Sequence, residues 1–247
     1  MTIKKSLFLA ALCLSPLLAY LLKSDTRNDG TIRFATSAEY PPFEYHENGV
    51  INGFDIDLGY AIAKELGKNA IFENMQFSSI LPAIQSNMVD AAISTITITP
   101  SRQQSFDFSD PYYIENMAIV FKNNAKIKDA SELKDKIISC QLGTTMEQWL
   151  KQNCLQTKIV AFDNNNQAIE AVKAGHVDGA LIDKCQGSVF CKKNPGLSYV
   201  VIATADNGYG IALPKGSQLK DEINKALKKL QLNGTIQLLQ DKWLGGA

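Results

Sequence analysis

Short apolar segments alternate with amphipathic segments along most of this chain. Residues 32–36 are apolar enough for a buried strand, whereas residues 54–66 place apolar side chains such as Leu58 and Ile62 on one helical stripe. Gly67 follows that stripe and is expected to end the helix. This alternation is typical of an α/β fold in which a mainly parallel sheet is covered by helices on both faces.

The same rhythm predicts the remaining elements. Thr99 followed by Pro100 is a helix-start signal, because a capping residue precedes proline at the first helical position. Pro82 lies near the predicted start of another helix, where proline is tolerated. Further strands are predicted at residues 70–75, 90–96, 136–142, 158–162, 178–182 and 209–213. Further helices are predicted at residues 79–87, 144–153, 165–174, 219–230 and 236–243.

Two segments of the chain resemble each other. Residues 84–95 and 172–183 share the end of a helix, a turn, Val-Asp and a strand of small apolar residues. We interpret them as the same position in two similar α/β lobes. The strands end in polar residues, Ser94 and Thr95 in one copy and Asp183 in the other. Because open α/β sheets bind ligands at the carboxyl ends of their strands, two facing lobes would meet over these residues.

The charge balance excludes several classes of function. The 247 residues carry 25 basic and 25 acidic side chains without a basic block, so neither nucleic acid nor an anionic membrane is expected as the main partner. The common motifs of metalloproteases, serine hydrolases and phosphate-binding loops do not occur. The histidines, His46 and His176, lie among polar residues of predicted turns. The sequence therefore predicts no catalytic residue, no cofactor and no metal site.

The first 24 residues are distinct from the rest of the chain. Two lysines precede an uncharged apolar stretch at residues 6–22, and the chain then becomes polar, which is the pattern of a secretory signal. An uncleaved anchor is the alternative, because the stretch is at the short limit for spanning a bilayer. Either interpretation places residues 25–247 outside the cytoplasm, in the periplasm.

Four cysteines lie beyond this segment. In an oxidising compartment Cys140, Cys154, Cys185 and Cys191 are expected either to form one or two structural disulfides or to be buried thiols. Cys185 and Cys191 are expected on one helix, too far apart along its axis for an easy bridge.

Arg102 is the first candidate for binding an anionic group. It lies in the first turn of the helix that follows Thr99, next to the hydroxyl-rich strand end at residues 94–97. A guanidinium group with free amides and hydroxyls makes a cradle for a carboxylate. A surface pairing of Arg102 with Asp107 or Asp110 is the alternative.

Other candidate site residues follow predicted strands. The Gly-Thr-Thr segment at 143–145 offers a strand end and a helix start suited to an anion, although simple N-capping explains the same pattern. Asp183 ends an apolar strand and could accept from an ammonium group or cap the next helix. The Tyr-Pro-Pro-Phe loop at 40–43 and Phe77 could wall a pocket or belong to the core.

Several motifs occur in order between residues 31 and 243, namely TSAEYPPF (36–43), GFDIDL (53–58), STITIT (94–99) followed by Arg102, FSDPY (108–112), LGTT (142–145) and VDGALID (177–183). Together they closely resemble the periplasmic polar amino-acid binding proteins of ABC importers. The resemblance implies a two-lobe class II binding-protein fold, each lobe a mainly parallel sheet flanked by helices, with a hinge of two crossings. One lobe would comprise residues 25–114 and 208–247 and the other residues 115–207.

The resemblance also implies roles for individual residues. Arg102 would hold the α-carboxylate of an amino acid with help from Thr97 and Thr145, and Asp183 would take the α-ammonium group. The remaining implied site residues are Ser94 and Thr95 at the ammonium group, Tyr40 and Phe77 as walls of a sandwich, and Ser37, Asp55 and Gln141 at the far end of the side chain.

The implied function is that of a monomeric receptor that closes on a polar L-amino acid and delivers it to a membrane ABC permease. Basic-amino-acid binders of this family usually carry an acid at the position of Ser37, and here the acid is Glu39, two residues later. Gln141, Asp55 and the aromatic walls favour arginine, whose planar guanidinium stacks on rings. Another basic amino acid, glutamine or a further polar amino acid is the alternative ligand.

Two other function classes remain open. A secreted enzyme on the same scaffold, such as a cyclohexadienyl dehydratase, would need a general acid, for which Glu39 is the candidate. An anchored sensory or adhesive module is favoured if the N-terminal segment is not cleaved.

Overall fold

The computed structural model describes residues 30–125, 127–204 and 207–245. The predicted signal or anchor at residues 1–24 lies outside the described residues. Within the described part of the chain, no helix combines the length and apolar character that crossing a bilayer requires.

Strands and helices alternate along the chain, as the sequence pattern predicts. In chain order the strands are β1 (Thr31–Thr36), β2 (Glu39–Tyr40), β3 (Glu44–Glu47), β4 (Val50–Asn52), β5 (Asn69–Asn74), β6 (Ala91–Ala92), β7 (Phe106–Phe108), β8 (Met117–Lys122), β9 (Ile137–Gln141), β10 (Lys158–Phe162), β11 (Gly179–Asp183), β12 (Leu197–Ala203) and β13 (Ala212–Pro214). The helices are α1 (Phe54–Glu65), α2 (Phe77–Gln85), α3 (Pro100–Gln103), α4 (Thr145–Asn153), α5 (Asn165–Ala174), α6 (Lys184–Lys193), α7 (Leu219–Leu232) and α8 (Thr235–Trp243).

The first lobe is built on a sheet with the strand order β5-β1-β6-β13-β7. β1 and β6 run parallel, with Phe34 opposite Ala91, and β13 runs antiparallel to β6 and β7. Neighbouring residues of β1 point to opposite faces, so Phe34 packs in one hydrophobic core and Ala35 in another. Helices therefore cover both faces of this sheet.

The second lobe is built on a sheet with the strand order β10-β9-β11-β8-β12. β9 runs parallel to β10 and β11, so the carboxyl ends of these three strands lie at one edge of the sheet. β8 runs antiparallel to β11, and β12 pairs antiparallel with β8, so β12 has the same direction as the three parallel strands. Hydrophobic cores again lie on both faces, one around Leu150 and Ile138 and one around Ile169 and Val172.

The chain passes between the sheets in two connections. One connection joins β7 to β8 and the other joins β12 to β13. Tyr113, in the first connection, forms a single β-bridge with Tyr209, in the second. The predicted lobe boundaries at residues 114 and 207 fall within these connections, and the boundaries themselves stay a prediction.

Gly53 fixes how the chain enters α1. Its φ of 129° lies in a region that side chains disfavour, and a Cβ atom there would lie 2.1 Å from the carbonyl oxygen of Phe43. The start of α1 therefore packs directly on the β2–β3 loop. This contact brings Glu44, at the start of β3, towards Asp55, in the first turn of α1.

The strand predicted at residues 90–96 is wrong beyond its first half. Only Ala91–Ala92 pairs as β6, and the backbone leaves the sheet afterwards, with Thr95 in the left-handed region at a φ of 47°. The amide of Thr95 donates to a side-chain oxygen of Asp55 instead of continuing a strand ladder. The strand predicted at residues 209–213 is likewise limited to Ala212–Pro214.

Helix α2 begins two residues earlier than predicted, at Phe77, so Pro82 lies inside the helix rather than near its first turn. The sequence pattern also does not predict the short strands β2, β3, β4 and β7, nor β8 and β12. β2, β3, β4 and β7 have only two to four residues, too few for a periodic signal. β8 and β12, of six and seven residues, are mostly apolar segments that fit a strand and add to those predicted.

The described cysteines Cys140, Cys154, Cys185 and Cys191 are all free thiols. The structure therefore agrees with buried thiols for Cys140, Cys154 and Cys185, whereas the Cys191 thiol is partly exposed, and it contains no disulfide among these residues. Cys185 and Cys191 lie on α6, as predicted.

Candidate functional site

A cavity lies where polar residues at the ends of strands from both sheets meet. Thr95 follows β6 of the first lobe, whereas Gln141 and Asp183 end β9 and β11 of the second. Eight predicted site residues line this cavity, namely Tyr40, Phe77, Thr95, Thr97, Arg102, Gln141, Thr145 and Asp183. The tertiary structure thus brings together residues that are far apart in the sequence.

Helix α3 positions Arg102. The hydroxyl of Thr99 caps this helix by accepting from the Arg102 amide at 3.2 Å, and Pro100 occupies the first helical position, as predicted. The guanidinium donates to the carbonyl oxygen of Thr97 at 2.8 Å and, across the cavity, to that of Gly143 at 3.0 Å. Both acceptors are neutral, so the positive charge of Arg102 is not neutralised by them.

The surface-pairing alternative for Arg102 is wrong. Its side chain is buried, and none of the ion pairs among the described residues includes it. Asp107 instead pairs with Lys215 at 3.1 Å. Burial lowers the pKa of Arg102 to about 10, which leaves the guanidinium charged at neutral pH. A buried cation without an acidic partner is suited to binding an anion.

Asp183 lies on the opposite wall, at the end of β11. Its carboxyl group accepts a hydrogen bond from the hydroxyl of Tyr40, which belongs to the first lobe. Burial raises the pKa of Asp183 to about 7, and the nearby acid Glu115 adds to the increase, while the hydrogen bond from Tyr40 opposes it. Asp183 therefore takes up or releases a proton near neutral pH.

Residues 143–145 form the turn between β9 and α4. Gly143 has a φ of 79°, and the Thr144 hydroxyl caps the helix, which confirms the predicted capping. The next hydroxyl, that of Thr145, lies 3.4 Å from the hydroxyl of Thr97 in the first lobe. This threonine pair and the Arg102–Gly143 bond link the two lobes beside the cavity.

The contacts across the cavity leave little free room in it. The free volume of the cavity is about 20 Å³, little more than one water molecule needs, because side chains bridge the space. An amino acid therefore has to replace contacts such as Tyr40–Asp183 and Arg102–Gly143.

Ser37, Ser94 and Asp55 are not among the residues that line this cavity. The Ser94 hydroxyl accepts from the Ser37 amide at 3.0 Å and donates to Glu44 at 2.8 Å. Asp55 accepts from the amide of Thr95 and the hydroxyl of Tyr112, both at 2.8 Å. Ser37, Ser94 and Asp55 thus belong to a buried network next to Thr95, and their contacts with a ligand stay a prediction.

Two acids of this network lie close together in the interior. Burial raises the pKa of Asp55 to about 7, and burial together with the charge of Asp55 raises the pKa of Glu44 well above its usual range. One oxygen of each carboxyl group is buried without a hydrogen-bond partner among the described residues. Protonation of one acid lets it donate to the other and so removes the repulsion between them.

The cavity also contains residues that the sequence does not single out. Met146, Leu181 and Ile182 belong to segments predicted as a helix and a strand, but nothing in them signals contact with a ligand, whereas Thr144 belongs to the predicted Gly-Thr-Thr segment. The other such residue is Asn165, the first residue of α5 after its cap Asn164. The position of Asn165 shortly after a strand end could have indicated a site residue. It lies in a run of three asparagines, however, which is also typical of a helix cap.

Three ionisable residues considered as catalytic candidates lie elsewhere. His46 and His176 are exposed, as predicted for solvated residues. Glu39 pairs within the β2–β3 hairpin opposite Tyr45 and is not among the residues that line the cavity.

Comparison with known proteins gives one consistent family. Residues 32–246 match the bacterial extracellular solute-binding proteins, family 3. The chain is 37% identical over 216 residues to the arginine-binding extracellular protein ArtP of Bacillus subtilis, with 85% of each chain covered. It is 31% identical over 229 residues to the L-cystine-binding protein TcyJ of Escherichia coli K12, covering 91% of this chain and 86% of that protein.

A solved structure gives the same result for the fold. An ancestral arginine-binding protein bound to arginine superposes with a TM-score of 0.83 at 41% sequence identity, covering 87% of this chain and 98% of that chain. This match confirms the predicted two-lobe α/β fold. The relatives named here are solute-binding proteins, and their names give more than one amino acid as the ligand.

Proposed function

The chain belongs to the bacterial extracellular solute-binding proteins of family 3, and from this premise we propose that it is an arginine receptor of an ABC importer. One observation carries the proposal: a buried guanidinium from one lobe and a buried carboxyl group from the other line a single cavity. A zwitterionic amino acid offers the opposite charge to each of these groups.

Arg102 is assigned to the α-carboxylate of the ligand. Its two terminal nitrogens donate to the carbonyl oxygens of Thr97 and Gly143, so a carboxylate that replaces the Gly143 contact gains a charge-assisted bond. Thr145 supports this assignment, because its hydroxyl and the N-terminal amides of α4 lie at the same wall.

Asp183 is assigned to the α-ammonium group. The ammonium group would replace the hydroxyl of Tyr40 as the donor to the carboxyl group and would favour its ionised form. Thr95 lines the same cavity and offers a carbonyl oxygen and a hydroxyl as further acceptors.

Two aromatic residues support the choice of arginine. Tyr40 and Phe77 line the cavity, and the guanidinium carbon of Arg102 already lies 6.0 Å from the centre of the Phe77 ring. A planar guanidinium on the ligand would stack on such rings more favourably than a lysine ammonium group. The names of the arginine-binding relatives agree with this choice, and the cystine-binding relative makes cystine a competitor to test.

Binding is proposed to act through closure of the lobes. A ligand that touches Arg102 on one side and Asp183 on the other has its full set of contacts only when the lobes are closed, so it stabilises the closed state. The closed, loaded protein would be exported, monomeric and recognised by a membrane permease, with no chemical step of its own.

A ligand screen tests the proposal. Residues 25–247 are purified, and their thermal unfolding is measured with each of the twenty common amino acids and with cystine. At a hundredfold excess over its dissociation constant, the correct ligand adds about 2.7 kcal/mol to the free energy of unfolding. Arginine is expected to give the largest shift, and calorimetry then gives its affinity. No shift with arginine would contradict the ligand assignment, and no shift with any compound would contradict the receptor function.

A further inference from the structure

Asn165 combines three features that suggest a task in ligand choice. It lines the cavity between the lobes, it is only 4% exposed, and its side-chain oxygen has no hydrogen-bond partner among the described residues. A buried oxygen without a partner costs free energy unless something donates to it. Asn164, one residue earlier, already caps α5 by accepting from the amide of Gln167 at 2.9 Å, so capping does not explain Asn165.

Gln186 holds the Asn165 side chain in place. The Asn165 amide nitrogen donates to the Gln186 side-chain oxygen at 2.7 Å, and Gln186 is completely buried in the first turn of α6. This bond uses one N–H of the Asn165 amide group and leaves its oxygen without a partner. The Asn165 oxygen is therefore an acceptor that a ligand donor can satisfy.

Gln141 provides a second amide close by. The carboxyl ends of β9 and β10 are neighbours, with Gln141 paired opposite Phe162. The Gln141 amide nitrogen donates to the carbonyl oxygen of Asp163 at 3.0 Å, two residues before Asn165. The amide nitrogen of Gln141 is thus also hydrogen-bonded within the protein. We call Gln141 and Asn165 the amide pair.

We propose that Asn165 is a specificity-determining residue, whose side-chain oxygen accepts a hydrogen bond from a terminal N–H group of the bound amino acid's side chain. This inference rests on the proposed function. It adds the protein group that determines which amino-acid side chain is preferred. The α-carboxylate and α-ammonium groups of the ligand are already assigned to Arg102 and Asp183. A guanidinium carries several N–H donors in one plane, so it can satisfy more than one neutral acceptor.

Two substitutions at this position separate the acceptor role from a packing role. Asn165→Leu keeps a similar volume and removes the acceptor. Asn165→Asp keeps the acceptor and adds a negative charge, and the free amide nitrogen of Gln186 can turn to donate to the new carboxylate. Asn166→Asp is the matched control, because it adds the same charge at the next, exposed position of α5.

The experiment measures affinities for L-arginine, L-citrulline and L-norleucine by calorimetry and displacement. Citrulline keeps the terminal N–H groups without the charge, and norleucine lacks them. We expect Asn165→Leu to weaken arginine binding about ten- to a hundredfold and to leave norleucine binding unchanged. We expect Asn165→Asp to raise the preference for arginine over citrulline at least tenfold, with no change in Asn166→Asp.

The outcomes distinguish this inference from the function on which it rests. Equal losses for all three ligands in Asn165→Leu, or weaker arginine binding in Asn165→Asp with unchanged thermal unfolding, would overturn the role of Asn165 alone. A wild-type protein that binds neither arginine nor citrulline would overturn both proposals. Thermal unfolding of each variant without ligand shows whether it is folded.

Discussion

The cavity presents two kinds of polar group, and they differ in charge and in origin. Arg102 and Asp183, which we call the charged pair, come from opposite lobes and carry the charged side chains among the described lining residues. The amide pair, Gln141 and Asn165, comes from the second lobe alone and is neutral. The difference suggests that affinity and selectivity have separate sources: the charged pair binds the groups that all amino acids share, and the amide pair discriminates between side chains.

The charged pair also links binding to closure more directly than the amide pair does. Its contacts already cross the cavity, from Arg102 to Gly143 and from Tyr40 to Asp183. Loss of either charge should therefore weaken binding of every amino acid, whereas changes in the amide pair should alter the order of preference. The following predictions test this separation.

The largest effect is expected from Arg102→Ala. It removes the buried cation, and a ligand carboxylate would then be buried without a charged partner. We expect affinity for arginine and glutamine to fall together, about 10²- to 10³-fold, measured by calorimetry.

Arg102→Lys is the control for charge. Lysine keeps the charge without the planar fork, so an intermediate loss of about tenfold is expected. An Arg102→Ala variant that is folded and retains wild-type affinity would refute the role of Arg102.

A smaller loss is expected from Asp183→Asn. The amide can still accept from Tyr40, so the wall keeps its structure, but the ligand ammonium group loses its counter-charge. We expect affinity for every bound amino acid to fall about thirtyfold or more. Asp221→Asn, at an exposed position of α7, serves as the control and should bind normally. A loss confined to basic ligands would place Asp183 at the side chain instead.

The affinity for amino acids should depend on pH through Asp183. The pKa of Asp183 is raised to about 7 in the protein without ligand, and an ammonium group favours the ionised form. Affinity should therefore be constant well above pH 7 and fall by up to tenfold per unit below it, with proton uptake by Asp183 as the cause. Glu115, Tyr40 and Tyr209 face this group, and Arg102 stays charged throughout the range.

Calorimetry in buffers with different heats of ionisation measures the proton released on binding. Asp183→Asn should lack this release. Stability of the free protein should change in the opposite direction: because the folded-state pKa values of Asp183 and Asp55 lie above their unfolded values, the free energy of unfolding decreases as the pH rises from about 4 to about 7.

The smallest effect is expected from Glu39→Gln. Glu39 is outside the residues that line the cavity, so arginine affinity should stay within about twofold of the wild type. The same variant tests the enzyme alternative, in which Glu39 acts as a general acid. Turnover of prephenate by the wild type that is lost in Glu39→Gln would favour that alternative over a receptor.

Local sequence patterns were sufficient to predict many of the helices and strands. The helix at residues 165–174 and the strand at residues 158–162 match the structure at both ends, because an asparagine cap, a C-terminal glycine and a clear apolar rhythm mark them. The strand predicted at residues 90–96 failed because a distant carboxyl group, that of Asp55, binds the backbone of Thr95. Such a contact has no signature in the segment itself.

The sequence by itself determined the α/β class, the repeated lobe pattern and most of the polar residues at strand ends, because these depend on periodicity and on short-range capping. Only the tertiary structure decided which of these residues share a cavity. It placed Asp55 and Ser37 in a buried network next to Thr95 and Asn165 in the cavity wall. The reason is physical: the contacts across the cavity join residues that are 41 or more positions apart, such as Arg102 with Gly143 and Tyr40 with Asp183, and the neighbours of a residue along the sequence do not encode such contacts.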